Sequence, residues 1–276
     1  MKSFWACLLV LTMLISGCAS SKSSRGDVHV GPDFAEETEI GRKIHAEILA
    51  SFYIYTDQRV VAYVHEIGAK LTSQAKRQEL PYSFTILYND KIYATSAPGG
   101  YVYVTTGMMN FLDSEAELAA VLAHEIAQIQ YKDPRLSMAR KIFTGVTQTG
   151  AAVGPAFGPI GALAVLGLVM MHAAVDSTGR TPEERLSDAD EKALRYLVAA
   201  GYDPQSLAEV IHKFLRADKQ MIPYFYDYYQ SRPISDTRVS RLESMFAKLD
   251  LGDKELLTRH QTYQEMTKGI REIYKQ

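Results

Sequence analysis

The segment Ser114 to Lys132 (SEAELAAVLAHEIAQIQYK) constrains the fold of this chain more than any other stretch. Ser114 and Glu117 form an S-x-x-E capping box, which fixes where a helix begins. Leu118, Val121, Leu122, Ile126 and Ile129 then recur at helical spacing and supply a buried stripe. Asp133-Pro134 ends the run, because proline cannot continue the backbone hydrogen bonding. The rest of the chain must be organised around this helix.

Inside it, His124-Glu125-Ile126-Ala127-Gln128 is one residue short of the HExxH pattern. Residues four apart share one helix face, so two histidines at that spacing reach one zinc ion at roughly 2.0–2.1 Å. The glutamate after the first histidine then lies where it takes a proton from metal-bound water. A third ligand, often Glu, comes from a separate helix, and a fourth position stays open. Here His124 and Gln128 occupy the paired positions.

The flanking chain reads as mostly helical. Asp33 to Phe52 shows helical spacing through Ile40, Ile44, Ile48 and Phe52, and Asp57 to Ala75 repeats it through Val60, Val64, Ile67 and Leu71. His45 and His65 on these helices are expected to be solvated or capping. Tyr82 to Tyr88 and Tyr101 to Thr106 are rich in aromatic and β-branched residues and predict strands. Ile92 to Ala97 adds a short one before the Pro98-Gly99-Gly100 turn. Such a sheet offers an edge on which an extended peptide could add as a further strand. Pro159 to Val175 is apolar and marginal for a bilayer span; it reads as a buried or partly exposed hairpin able to act as a lid, with a bilayer contact as the alternative. Met221 to Tyr229 is aromatic-dense and could wall a groove. Helices are expected at Glu183 to Ala200, closed by Gly201, from Pro204 to Ala217, and at Asp236 to Leu249 and Lys254 to Tyr274. The fold class is α+β: a mostly helical single domain over residues 33–276 with one small β-sheet.

Residues 1–18 lie outside that domain. Lys2 precedes an apolar Phe4 to Ile15, and Leu14-Ile15-Ser16-Gly17-Cys18 resembles a bacterial lipobox. Lipidation of Cys18 would anchor the chain, each buried methylene contributing roughly 0.8 kcal/mol; an ordinary signal peptide cut nearby is the alternative. Ala19 favours the periplasmic face of the outer membrane over retention at the inner one. Residues 19–32 read as a flexible tether. Cys7 leaves with the signal and Cys18 takes the lipid, so no disulfide is expected. The net charge of −2 carries no nucleic-acid footprint.

The segment from Pro98 to Pro134 resembles the bacterial zinc metallopeptidases related to HtpX, BepA and the CAAX prenyl proteases, peptidase family forty-eight of the metallo class. That family carries a PGGxIYV strand, an SEAELAxVLxHE helix start and HExxH. Leu186-Ser187-Asp188-Ala189-Asp190 is similar to its ExEAD, Ala200 to Pro204 to its AGYDP, and Arg232-Pro233 with Arg238 to its HPxxxxR. The resemblance runs from about Asp33 onward and implies a gluzincin-like metallopeptidase fold, zinc as cofactor, and cleavage of misfolded envelope proteins.

By that resemblance His124 is the first metal ligand and Glu125 the general base. Gln128 and Leu186 stand at degenerate ligand positions, since zinc prefers imidazole, thiolate or carboxylate to an amide and cannot use an alkyl group. Asp190 matches the carboxylate that orients a ligand histidine. Arg232 replaces the histidine of the His-Pro segment and would bring a permanent positive charge toward the cleft, while Arg238, also placed at the cleft, is a scaffold position that is kept. Asp188, two residues from Leu186, should point away, and Glu183 or His172 could substitute only with rearrangement. The expectation is a site with zinc absent or weakly bound. It belongs to a lipid-anchored adaptor or chaperone that binds unfolded or envelope protein segments and no nucleic acid. The alternatives are an active metalloendopeptidase with an altered metal site and a structural lipoprotein with a filled cleft.

Overall fold

The computed structural model describes residues 34–129, 182–217, 234–249, 251 and 255–275. The signal segment with Cys18, the tether, the apolar stretch containing His172, the segment at 221–229 and Arg232 all lie outside these. In chain order come α1 (Phe34–Ser51), α2 (Gln58–Thr72), β1 (Ser83–Leu87), β2 (Ala94–Ala97), a 3-10 turn (Pro98–Gly100) and β3 (Tyr101–Thr105). There follow α3 (Thr106–Phe111), α4 (Glu115–Ile129), α5 (Pro182–Ala199), α6 (Gln205–Arg216), α7 (Asp236–Phe246), α8 (His260–Met266) and α9 (Lys268–Ile273). This is the expected α+β architecture. No helix among the described residues is long and apolar enough to cross a membrane.

The sheet is mixed, in the order β1-β3-β2. β3 pairs in parallel with β1, Phe84 facing Val102, and antiparallel with β2, Thr95 facing Tyr103. The outer side of β1 is covered by residues 53–55: Ile54 bridges Leu87, Tyr55 N donates to Ile86 O at 2.9 Å, and Tyr88 N donates to Tyr53 O at 2.8 Å. All four residues of β2 are buried, so the edge expected to accept a peptide strand is not open to solvent.

α4 is buried on every side, from Glu115 through Ile129, and packs against α5, α6, α2 and β2. The stripe read from its large apolar residues therefore understates its burial. Ala116, Ala119, Ala120, Ala123 and Ala127 turn the remaining faces into surfaces that neighbouring elements approach closely, and Ala189 and Ala193 are the buried small residues of α5. α4 is thus the core itself, although Glu115, Glu117, His124, Glu125 and Gln128 on it are polar or charged.

Its start is a displaced capping box. Ser114 Oγ accepts from Glu117 N at 3.1 Å, but the Glu117 carboxylate reaches back to Asp113 N rather than Ser114 N, and also takes Lys213 Nζ at 3.0 Å. Glu115, buried beside it, accepts from Tyr63 Oη at 2.9 Å, Tyr202 Oη at 2.7 Å and Arg259 Nη1 at 3.2 Å. Burial, and then the adjacent carboxylate, push both phenols well above their ordinary range, so they remain donors. Glu115→Ala would orphan two buried hydroxyls at about 1–3 kcal/mol each. Urea unfolding should register the loss, with Glu115→Gln less costly because one acceptor is kept.

α1 lies across the 98–100 turn. Glu37 and Arg77 form a two-point ion pair at 2.7 and 2.8 Å, and Gly99 N reaches Glu37 Oε1 at 3.4 Å. A Cβ at Gly41 would sit 2.0 Å from Pro98 O, a backbone atom that cannot swing aside. Gly41→Ala is thus expected to cost about 1–3 kcal/mol, read as a lowered thermal midpoint. His45 is not simply solvated: it stacks on Tyr101 with ring centroids 4.4 Å apart, and its Nδ1 lies 2.9 Å from Tyr103 Oη. His65 sits edge-on to Phe84 and is exposed.

Two boundaries differ from expectation. Lys254 to Tyr274 is not one helix but α8 and α9, broken at Thr267, whose hydroxyl donates to Tyr263 O at 2.8 Å. α3 follows β3 directly, because the Thr105 hydroxyl accepts from Met108 N at 3.1 Å and caps it.

Candidate metal centre

His124, Glu125 and Gln128 come from α4, Ser96 from β2, Leu186 and Asp190 from α5, and Arg238 from α7. All seven are buried. Asp190 is the hub. Its carboxylate takes Arg238 Nε on Oδ2 at 2.9 Å and Arg238 Nη2 on Oδ1 at 2.7 Å. His124 Nδ1 lies 3.0 Å from the same Oδ1, close to it but outside good hydrogen-bond geometry. Asp190 thus stands between Arg238 and His124.

Burial alone would raise the Asp190 carboxyl, yet the guanidinium and the imidazole beside it win and hold it at about 2. His124 moves the other way. Burial pushes its pKa below the usual value despite the adjacent carboxylate, because removing an imidazolium from water costs more than that carboxylate returns. The ring is neutral at pH 7. With its Nδ1 hydrogen toward Asp190, the Nε2 lone pair is the free acceptor.

That lone pair is the one that the family resemblance would give to a metal, and it is taken. Gln128 Nε2 lies 3.1 Å from His124 Nε2, so the amide donates to the atom that would ligate zinc. Leu186, one turn before Asp190 on the same helix face, contributes only methyl groups. Glu183 ion-pairs with Arg241 at 2.7 Å on the surface and is no substitute ligand. Among the described residues no three His, Cys, Asp or Glu side chains come together as metal ligands. This donor set does not fit zinc: one imidazole is committed to an amide, and the neighbouring positions are an amide and an alkyl chain.

Glu125 Oε2 accepts from Ser96 Oγ at 3.1 Å. Ser96 was missed by sequence reasoning. The signal was present in the Ala94–Ala97 strand just before the Pro98-Gly99-Gly100 turn, but nothing local to it reveals which side of β2 faces α4. Arg238, the cleft arginine that the resemblance keeps as a scaffold position, is buried. Here its charge is spent on Asp190 inside the protein.

Two kinds of comparison bear on identity. The chain is 24% identical over 184 residues to the beta-barrel assembly-enhancing protease of Escherichia coli strain K12, covering 65% of this chain and 38% of that protein. It is 24% identical over 209 residues to the protein of the same name from Yersinia pestis, covering 74% and 43%. It therefore spans about two fifths of the length of these relatives. The family model described as Peptidase family M48 matches residues 58–246, which hold β1 to β3, α4 and every described site residue. With that match running over most of its length, the chain belongs to peptidase family M48, a family of zinc metallopeptidases.

Proposed function

We propose that this protein is a non-catalytic member of its family: a lipid-anchored envelope protein that holds polypeptide segments and does not cut them. The observation that carries the reading is the Gln128 amide on His124 Nε2, with Leu186 in the place of a carboxylate ligand. Glu125 then has no metal-bound water to deprotonate. The anchor is Cys18 in its lipobox. The bacterial envelope, with the protein on the periplasmic face of the outer membrane, follows from that anchor and from Ala19. The relatives' printed name, an enhancer of β-barrel assembly, supports a role beside outer-membrane protein assembly as adaptor or chaperone. Because β2 is buried, polypeptide binding on its edge requires that edge to be uncovered first.

The test is zinc content of the protein purified without chelator, by elemental mass spectrometry. The reading predicts far less than one zinc per chain and no cleavage of unfolded casein. One observation favours a second reading. His124, Asp190 and a buried Glu125 keep a peptidase-like arrangement, which suits an active metalloendopeptidase drawing further ligands from elsewhere in the chain. It predicts about one zinc per chain and cleavage lost in Glu125→Gln, and that pair of results would overturn the non-catalytic reading.

A further inference from the structure

Residues 255–275 form a strap laid over the junction where α3 ends and α4 begins. They lie beyond the span that the family model matches, residues 58–246. The strap first runs beside the loop after α5: Leu257 N donates to Gly201 O at 2.9 Å, and Asp203 N donates to Leu257 O at 3.2 Å. Thr258 O then accepts from Ala116 N at 3.2 Å, a first-turn donor of α4 that the helix itself cannot satisfy. From α8, Tyr263 Oη donates to Met109 O at 2.6 Å and Gln264 Nε2 to Asp113 O at 3.1 Å. From α9, Arg271 donates to Asn110 O at 3.4 Å and to Leu112 O at 2.5 Å. The strap thus supplies the hydrogen-bond partners of the backbone at the entry to the buried helix.

It is held there mostly by polar contacts. Of residues 255–275 only Tyr263, Thr267 and Ile270 are buried, whereas α4 is buried from end to end. A segment with few buried apolar groups opens at a lower free energy than the core it lies on.

A second, independent observation lies at Arg259, the link between the Leu257 bridge and α8. Its backbone is left-handed, at φ 50 and ψ 51, and among the described residues it is the one non-glycine residue with a positive φ. A Cβ crowds the backbone carbonyl in that region, so the conformation persists only where its surroundings enforce it. The Arg259 guanidinium lies on the buried Glu115 at 3.2 Å, and Arg259 O accepts from Tyr263 N at 3.1 Å. The closed strap therefore stores strain at Arg259 and offsets it with contacts to α4 and α8.

We propose that residues 255–275 are a strained latch hinged at Arg259, which opens as a unit while the core of α4 stays folded. The Arg259–Glu115 pair is its catch, and the backbone strain at Arg259 favours release. Opening hands the Met109, Asn110, Leu112 and Asp113 carbonyls and the Ala116 amide to water, so it loosens the first turn of the helix that carries His124 and Gln128. Glu115 keeps its bonds from Tyr63 and Tyr202 in the open state. The latch is independent of whether the buried site holds metal or cuts polypeptide.

Residue-resolved hydrogen exchange of the full chain by NMR, in urea below the unfolding transition, tests this. The amides of Tyr263, Thr267 and Arg271 should exchange together with those of Leu257, Asp203 and Ala116. That shared opening should be at least about tenfold more frequent than the one that exposes the amides of Leu122 and Ile126. Arg259→Ala removes the catch and keeps the strain, so exchange of the strap should quicken by about tenfold or more. Arg259→Gly removes the catch and relieves the strain, so its strap should exchange about fivefold more slowly than that of Arg259→Ala. Leu122 and Ile126 should be unchanged in both. Strap amides that exchange only with Leu122 and Ile126 in the natural protein would overturn the latch, whether or not either variant folds. Ala116 exchanging apart from the strap would overturn its hold on α4, and equal rates in the two variants would overturn the strained hinge.

Discussion

Gln128→His combined with Leu186→Glu is expected to give a protein that binds about one zinc per chain, where the natural sequence binds far less. The two changes restore imidazoles at positions 124 and 128 of one helix face and a carboxylate one turn from Asp190. Asp190 already stands against His124 Nδ1 at 3.0 Å, so the first ligand is held without further change. Without metal the double variant should be less stable than the natural protein, since the carboxylate introduced by Leu186→Glu would be buried and unpaired. Zinc at a thousand times its dissociation constant should then return about 4 kcal/mol. A thermal midpoint that rises with zinc in the double variant alone is the diagnostic result. If the double variant takes up no metal, positions 124, 128 and 186 no longer converge, and the divergence goes deeper than the ligands.

The second large effect is at Arg238. Its guanidinium makes two bonds to Asp190 in a place where neither residue reaches water. Arg238→Met removes the compensation and leaves a buried carboxylate, at a cost of about 3–5 kcal/mol in chemical denaturation. Asp190→Asn in the same chain should recover part of that, because the neutral amide is cheaper to bury than the orphaned charge. A cost under about 1 kcal/mol for Arg238→Met would mean that Asp190 draws its stabilisation from elsewhere. The pH dependence has a definite sign. The folded Asp190 carboxyl is held at about 2, below its ordinary 3.8, so its contribution is complete above that ordinary value and is lost as pH falls from 3.8 toward 2. In Asp190→Asn that segment of the acid-denaturation curve should flatten.

Much of the architecture is legible because it is local. The capping residues around Ser114, the strand composition of Tyr101 to Thr105 and the positive φ of Gly201 after α5 each follow from a few neighbouring residues. The break at Thr267 and the six-residue α3 escaped notice for the same reason in reverse. Each spans too few turns to produce periodicity, and each is decided by a threonine hydroxyl choosing a backbone partner. The candidate site enters as positions implied by the family resemblance, with His124, Gln128, Leu186 and Asp190 matched motif by motif.

What the amino-acid order determined by itself is which elements form and which side chains are chemically unable to serve as ligands: an amide at 128 and an alkyl group at 186 are what they are in any fold. Only the tertiary structure decided what fills the space they leave. The Gln128 amide on His124 Nε2 is local to one helix turn, but Arg238 meets Asp190 and Ser96 reaches Glu125, 29 residues away, only across the fold. The physical reason is that buried polar groups must be paired, and the pairing partners come from α4, α5, α7 and β2. Their mutual distances depend on how the helices pack, and no spacing along the chain encodes that.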